Sequence, residues 1–503
     1  MTKLDSTQLD SGRFWLPNAP DQHVGGWVDL ISRWPQVTLA DPLTPAMLKT
    51  DRTTRPDGRV TIKSVPADDD INPDAFTVHG YLRRGPSRIT LVNTTSAGRS
   101  MVLGGRGMDQ GEQRLRADYA FIGGHVEGAD TLFDRARLRV GHLDEWAGLA
   151  GLSTTVAVDG SQVRIEYTDP DEERAPVSGL GELVLGTVVT MPEPSVRGAN
   201  LIRRAELTIE LANALTFEEI WQRFVAPVST LLSLCSDRDS GIVSLQLRTG
   251  PEERWLEARH PNIDSSLTDP GDRLASRDVL FTREVVTLDH AAQWLARAPS
   301  WSPIPGMVAA IRTGSERTLA NQLLDLATAA EGLHRRLPMQ SRTISHGQAR
   351  SARHAARDAV DPELSDRVND ALLHLNDPTY AERLHVVTDL AASAIPEAMG
   401  NRDQWEQRIK QVRNGFAHQV PTRSATDEWQ EYLVLLRTMR WVLIIAMLNL
   451  AGVSPAALGE RLRAYEPYRF QLRQARRWIP GLYPARRPDT ETESPGTHGH
   501  DAD

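Results

Sequence analysis

The stretch "IKQVRNGFAHQ", residues 409–419, places Arg413, Asn414 and His418 within one short segment, split by Gly415 and Phe416. A histidine with a reference pKa of about 6.5 takes or gives a proton near neutrality. An arginine offers a rigid fork of donors to a phosphate and stays charged as a phosphorane gathers negative charge. Asparagine can orient either partner or hold a phosphate oxygen. Together these groups suit attack of a ribose 2′-hydroxyl on its own phosphodiester without a metal. DNA lacks that nucleophile, so such chemistry selects RNA. The same residues also suit a plainer role, as a helix end whose Arg and His meet solvent, where a histidine is favoured by the C-terminal dipole.

Spacing alone does not separate the two readings. Arg137 and His142 in "RLRVGH" repeat the interval on an alternating, strand-like run, where positions five apart face opposite sides. On a straight helix, residues five apart diverge by roughly 140°. Gly415 is therefore expected to end the helix "QWEQRIKQV" with positive φ and to fold His418 back toward Arg413 and Asn414.

The elements that must position these residues follow from the pattern of the chain. At 503 residues it is too long for one core, and two or three domains are expected. Residues 11–310 read as β-rich, with sandwich-like or partly closed sheets: "GRVTIKSV", "RITLVNTT", "ARLRVGHL", "ELVLGTVVTM" and "IVSLQLRT" are separated by turn clusters. A subdivision near residue 150 is possible. One helix, "TFEEIWQRFVAPVSTLLSLCS", interrupts them, with Thr216 as N-cap and Pro227 expected to kink or split it. Residues 316–485 change to helical period and predict an all-α bundle of four to six helices, the most apolar being "WVLIIAMLNLAGV". The fold class is thus α+β and multidomain. Residues 486–503 are polar and Pro/Gly-rich and read as disordered.

Composition narrows the function. A net charge of −9 argues against a chain coated in basic surface, while leaving room for a local basic cleft. The single Cys235, in an apolar run, suits a core position and a reducing, cytoplasmic setting. The N-terminus has no apolar signal core and no run resembles a membrane span, so neither secretion nor a membrane partner is expected. Two arginine sets recur at helical spacing: Arg350, Arg353 and Arg357 in "QARSARHAARD", and Arg473, Arg476 and Arg477 in "RFQLRQARRW". Either can line an RNA channel, and either can be a solvated, salt-bridged face. The glycines of residues 103–113 lack a P-loop's terminal Lys-Ser/Thr, and the acidic run at 67–72 lacks EF-hand spacing. No metal site or cofactor is expected.

"RNGFAH" resembles the Arg-x4-6-His motif of HEPN domains, which are small helical ribonucleases. More closely, "LLDLATAAEGLHRRL", "IKQVRNGFAH" and the long helix ending "NLAGVS" are similar to the HEPN domain of ApeA-type anti-phage proteins. "GRFWLPNAPDQHVGGWVDL" and "AFIGGHVEGADTLFDRARLRVGHLDEWAG" resemble the matching N-terminal domain, so the resemblance spans most of residues 11–480. It implies a homodimer with two motifs facing across a shared cleft and metal-independent endoribonuclease activity. In it Arg413 would bind phosphate, His418 would serve as general acid or base and Asn414 would orient. Glu331 sits where such helices carry an acidic residue that positions the motif Arg; its plainer role is an exposed helical Glu near Arg335. The expectation is an anti-phage ribonuclease acting on RNA, with the N-terminal half sensing an unknown phage or stress trigger. The alternative is a catalytically inactive HEPN dimer acting as a protein or RNA adaptor.

Overall fold

The computed structural model describes residues 9–44, 48–57, 59–66, 75–85, 88–102, 109–149, 151–159, 162–190, 201–264, 278–313, 317–337, 344–417 and 425–484. The chain forms two compact units, Met1–Thr313 with Ala451–Val453, and Gly314–Leu450 with Ser454–Asp503. The acidic run at 67–72 and the tail from 486 lie outside the described residues.

The first unit opens with strands β1 (Asp10–Trp15), β2 (Val24–Asp29), β3 (Gln36–Leu39), β4 (Leu48–Thr54), β5 (Val60–Pro66), β6 (Phe76–Leu82), β7 (Arg88–Val102), β8 (Asp109–Arg116), β9 (Tyr119–Ile122) and β10 (Phe133–Val140). Helix α1 (Leu143–Ala147) leads to β11 (Leu152–Val156), β12 (Val163–Tyr167), β13 (Glu173–Val177), β14 (Gly181–Thr190) and β15 (Ile202–Leu215). Helices α2 (Phe217–Ile220) and α3 (Ala226–Ser236), strands β16 (Ile242–Arg248) and β17 (Leu256–Arg259), and helices α4 (Leu288–Trp301) and α5 (Ile304–Thr313) complete it.

Thirteen strands make one sheet, in the order β13-β14-β15-β10-β16-β17-β9-β7-β6-β1-β2-β3-β8, and β8 also pairs with β7. The last six strands therefore close into a barrel, while the rest continue from β7 as an open antiparallel sheet. β13, β14 and β15, beyond residue 150, belong to the same sheet as the earlier strands. Alternate residues fill the barrel, among them Phe14, Val37, Leu39, Val78 and Ile89. Gly80 shares the inward face with Val78. A Cβ there would lie 2.6 Å from Phe14 Cδ1 and 2.8 Å from Ile89 Cγ2, so the phenyl ring occupies the space a side chain would need.

The open sheet buries Ala136, Leu138, Leu207, Ile209, Leu245 and Leu247 on one face, where α1, α3 and α4 pack. Its other face is charged: Arg135 and Arg137 pair with Glu210 and Glu206, and Arg137 lies 4.4 Å over the Trp255 ring. Of the Arg137–His142 interval only Arg137 lies on β10; His142 follows the strand, with φ of 62°, at the N-cap of α1. Cys235 is fully buried, and burial pushes its thiol up.

Two features depart from the sequence pattern. The chain does not break at Pro227; it continues through a π-helical turn, Trp221–Val225, in which the Ala226 N–H reaches the Trp221 carbonyl. The wider turn accommodates a ring that has no N–H to donate and needs space behind it. α4 and α5 also fall in the half read as β-rich, beyond the one helix that the sequence marks there. Pro299, Pro303 and Pro305 obscure their periodicity, although Thr287 and His290 form a capping box that marks the start of α4.

The second unit comprises α6 (Leu319–Arg335), α7 (His346–Asp358), α8 (Pro362–Ala371), α9 (Tyr380–Ala392), α10 (Pro396–Met399), α11 (Arg402–Ala417), α12 (Ala425–Leu450), α13 (Pro455–Ala464) and α14 (Glu466–Trp478). Among the described residues that is nine helices where the periodicity predicts four to six; two of the additions, α10 and α13, are short and begin at Pro396 and Pro455. α6 and α9 pack on each other and on both α11 and α12. Trp405 of α11 is buried and donates its indole N–H to Thr438 Oγ1 of α12 at 3.0 Å. Among the described residues one helical segment, Trp429–Leu450, is long and apolar enough to cross a membrane by length and composition. Within the unit 78% of its most apolar window is buried, as befits a core helix.

Gly80→Ala is expected to destabilise the protein by about 1–3 kcal/mol through overpacking. Gly25→Ala, with nothing within 4 Å of its Cβ position, should stay within about 0.5 kcal/mol of wild type. Urea unfolding of both variants checks this.

Candidate active site

Three helices of the second unit deliver the site. α6 starts at Thr318, whose hydroxyl accepts the Asn321 N–H, and buries the stripe Leu323, Leu326, Ala330 and Leu333. Glu331 lies beside that stripe, near the helix C-terminus. α9 starts with a capping box between Thr379 and Glu382, which sets Tyr380 in its first turn and Arg383 almost one turn on. α11 carries Arg413 and Asn414 in its last turns.

The Glu331 carboxylate gathers these groups. Arg335 Nη2 and Arg383 Nη1 both donate to its Oε1 at 2.8 Å, and Arg413 Nη2 donates to its Oε2 at 3.4 Å. Arg383 is buried, and its Nε–H is tied to the Pro378 carbonyl at 2.9 Å. The Arg413 guanidinium lies 5.2 Å over the Tyr380 ring, and its Nη1 donates to Asn414 Oδ1 at 3.3 Å. The Tyr380 hydroxyl donates to the Ala327 carbonyl at 3.4 Å. About a third of the Arg413 side chain, 34%, stays open to solvent.

The electrostatics follow from three guanidinium groups around one carboxylate. Burial by itself raises the Glu331 carboxyl, but the hydrogen bond from Arg335 and the charges of Arg335, Arg383 and Arg413 hold it below the usual carboxylate range. Burial pushes the Tyr380 phenol up. His334, one turn from Glu331, is buried, and among the described residues its Nδ1 has no hydrogen-bond partner; burial, then Arg383 and Arg335, hold its imidazole below the ordinary value. The cluster carries surplus positive charge beside a partly open arginine, an arrangement that suits a phosphate.

Arg413, Asn414 and Glu331 therefore come together; Glu331 pairs with Arg335 one turn away and with Arg413 on another helix, and it is half-buried where the plainer role expects an exposed side chain. The expected glycine turn is absent. α11 runs through Gly415 to Ala417, and Gly415 is not among the residues with positive φ. A mid-helix glycine costs only about 1 kcal/mol, less than the burial of Trp405 and Ile409 on the same helix returns. His418 lies outside the described residues.

The arginine sets stand elsewhere on the unit. Arg350 and Arg357 are exposed and Arg353 half-buried on α7, where Arg357 pairs with Asp358 at 3.3 Å. Arg473, Arg476 and Arg477 are exposed on α14, with Arg473 bonded to Glu466 at 2.6 Å. None of these arginines shares an ion pair or hydrogen bond with Arg413 or Glu331 among the described residues. The sequence reading missed Tyr380 and Arg383. Their signal was present in "TYAERL", whose capping box starts a helix that puts the two on one face. Among the described residues no three His, Cys, Asp or Glu side chains come together as metal ligands.

The family model for the ApeA N-terminal domain 1 matches residues 53–292, and that for the Apea-like HEPN domain matches residues 324–456, which contains Glu331, Tyr380, Arg383, Arg413 and His418. The chain is an ApeA-type HEPN protein. No curated protein and no solved structure matches it. Its ApeA-like HEPN domain supports a family role in anti-phage defence. HEPN domains are generally nucleases, and they typically dimerise and act on RNA.

Because the Glu331 carboxyl is held below its ordinary value, its contribution to stability is complete above that value, about 4.3. The contribution disappears as pH falls through the lower folded value. Glu331→Gln leaves Arg383 buried without its carboxylate and should destabilise the protein at pH 7 by about 3 kcal/mol. The gap from wild type should narrow as pH falls below about 4 and close only below the lowered folded value, where native wild type is protonated too. Denaturant unfolding at pH 7 and pH 3 measures both.

Proposed function

We propose that this ApeA-type protein is a metal-independent endoribonuclease that acts in anti-phage defence, as a dimer in which two Arg413–His418 motifs share one cleft. The observation that carries this reading is the convergence of Arg335, Arg383 and Arg413 on the single carboxylate of Glu331, with Arg413 partly open to solvent. Phosphate would bind at Arg413, with Asn414 orienting it. The 2′-oxygen attacks phosphorus and the 5′-oxygen leaves, giving a 2′,3′-cyclic phosphate and a 5′-hydroxyl end. Neutral His418 of one copy takes the 2′-hydroxyl proton, and the second copy's His418, starting as imidazolium, gives a proton to the leaving 5′-oxygen. Arg413 stabilises the charge that builds on the phosphorane between those steps. The exposed arginines of α7 and α14 would contact the RNA backbone away from the cut.

In this reading the N-terminal unit senses the trigger and restrains the nuclease until it arrives. Domain order supports the assignment: an RNase that halts host growth needs restraint, and the β-rich unit precedes the HEPN domain in one chain.

Purified full-length protein incubated with defined RNAs in EDTA should release cyclic-phosphate ends. His418→Ala and Arg413→Ala should each lower the rate by about 100-fold or more with unchanged thermal melting. Cleavage that survives His418→Ala, or that stops with chelator, sinks the mechanism. Tight RNA binding by wild type with no product under any trigger would instead favour the adaptor.

A further inference from the structure

We propose that Tyr380 and Arg383 are positioning residues that hold Arg413 in place for the phosphate. The inference rests on the ribonuclease reading and extends it to α9, a helix that carries no part of the Arg–His motif.

Arginine has several rotatable bonds, and a partly exposed one samples many rotamers unless its guanidinium is fixed. Arg413 is restrained on two sides. The Tyr380 ring lies under the face of the guanidinium, and Glu331 Oε2 accepts from one edge. A cation over an aromatic face gains from the ring's quadrupole and loses one direction of movement. The phenol itself is committed elsewhere, to the Ala327 carbonyl of α6, which fixes the ring plane relative to Glu331 on the same helix.

Arg383 acts one step further back. Its Nε–H is anchored to the Pro378 carbonyl just ahead of its own helix, and its Nη1 holds Glu331 Oε1. Both anchors are short, and the side chain is 8% exposed. Arg335 reaches the same oxygen but is 59% exposed, so solvent screens that pair where it cannot screen the buried one. Arg383 therefore sets the carboxylate's orientation, and with one oxygen engaged the other faces Arg413. The chain of restraint runs from Pro378 through Arg383 and Glu331 to Arg413, with Tyr380 closing it from the ring side. The residues left to meet a phosphate are pre-arranged, so binding loses little entropy in ordering them.

The test uses the full-length protein and a defined RNA oligonucleotide, reading kcat and KM for Arg383→Gln, Tyr380→Leu, Tyr380→Phe, Glu331→Gln and the Glu331→Gln/Arg383→Gln double variant. Arg383→Gln and Tyr380→Leu should lower kcat by on the order of tenfold or more, with KM within about twofold. Tyr380→Phe, which keeps the ring, should recover most of the rate lost in Tyr380→Leu. In the Glu331→Gln background Arg383→Gln should cost less than about threefold further, since its effect passes through that carboxylate. An equal cost in both backgrounds overturns the role of Arg383, and a Tyr380→Phe as slow as Tyr380→Leu overturns that of the ring. Crystal structures of wild type, Tyr380→Leu and Arg383→Gln decide the matter without activity. One ordered Arg413 rotamer in wild type and a displaced or disordered one in the variants is the expected result; the same ordered rotamer in all three overturns the proposal. A wild type that cuts no RNA would refute the ribonuclease reading alone, and the Arg413 rotamers would still test the positioning.

Discussion

The carboxylate of Glu331 is the charge on which the arrangement around Arg413 depends. It draws together an arginine from its own helix, a buried one from α9 and the motif arginine from α11. Without it, guanidinium groups that cannot lose their protons would face one another in a half-buried space. With it, three helices are joined at a single point by charge-assisted hydrogen bonds, and the surplus positive charge is directed to the open side. In the ribonuclease reading, a site for an anionic backbone is thus built around an anion that leaves part of the demand unmet.

Much of the architecture was legible in the chain because local rules and global packing agree. Thr216 is the N-cap expected of it, its hydroxyl accepting the Glu219 N–H, and the apolar helical period of the second half is that of buried helix faces such as Leu323, Leu326, Ala330 and Leu333. The alternating runs of β10, β15 and β16 are strands with one apolar and one charged face. Closure of the barrel was not legible. It depends on β8 returning to β7 while also pairing with β3, and period-2 patterning assigns faces without naming partners. The π-turn before Pro227 was hidden for a related reason: a proline announces that the regular ladder fails and leaves open how the chain makes room.

The site shows the same division. Arg413 and Asn414 could be found because they sit together in a recognisable motif, and Glu331 because the HEPN resemblance points to an acidic residue on that helix. Tyr380 and Arg383 carried only a helix-start signal, since their relation to Arg413 arises from the packing of α9 against α11. Arg413 and Glu331 are separated by 82 positions in sequence, and no local rule measures such a distance. Gly415 was misread because glycine permits a turn without requiring one, and α11 continues through it to Ala417.

Strand β7, Arg88–Val102, pairs with β6, β8 and β9. It is at once a stave of the barrel and the root of the open sheet. The two halves of the β-rich unit are therefore joined by a shared backbone ladder, where a linker would have let them swivel. A ligand that changed the girth of the barrel would alter the twist of the sheet through the same hydrogen bonds. Mechanically the unit is one spring with a coiled end and a flat end, and a load on either is felt along its whole length.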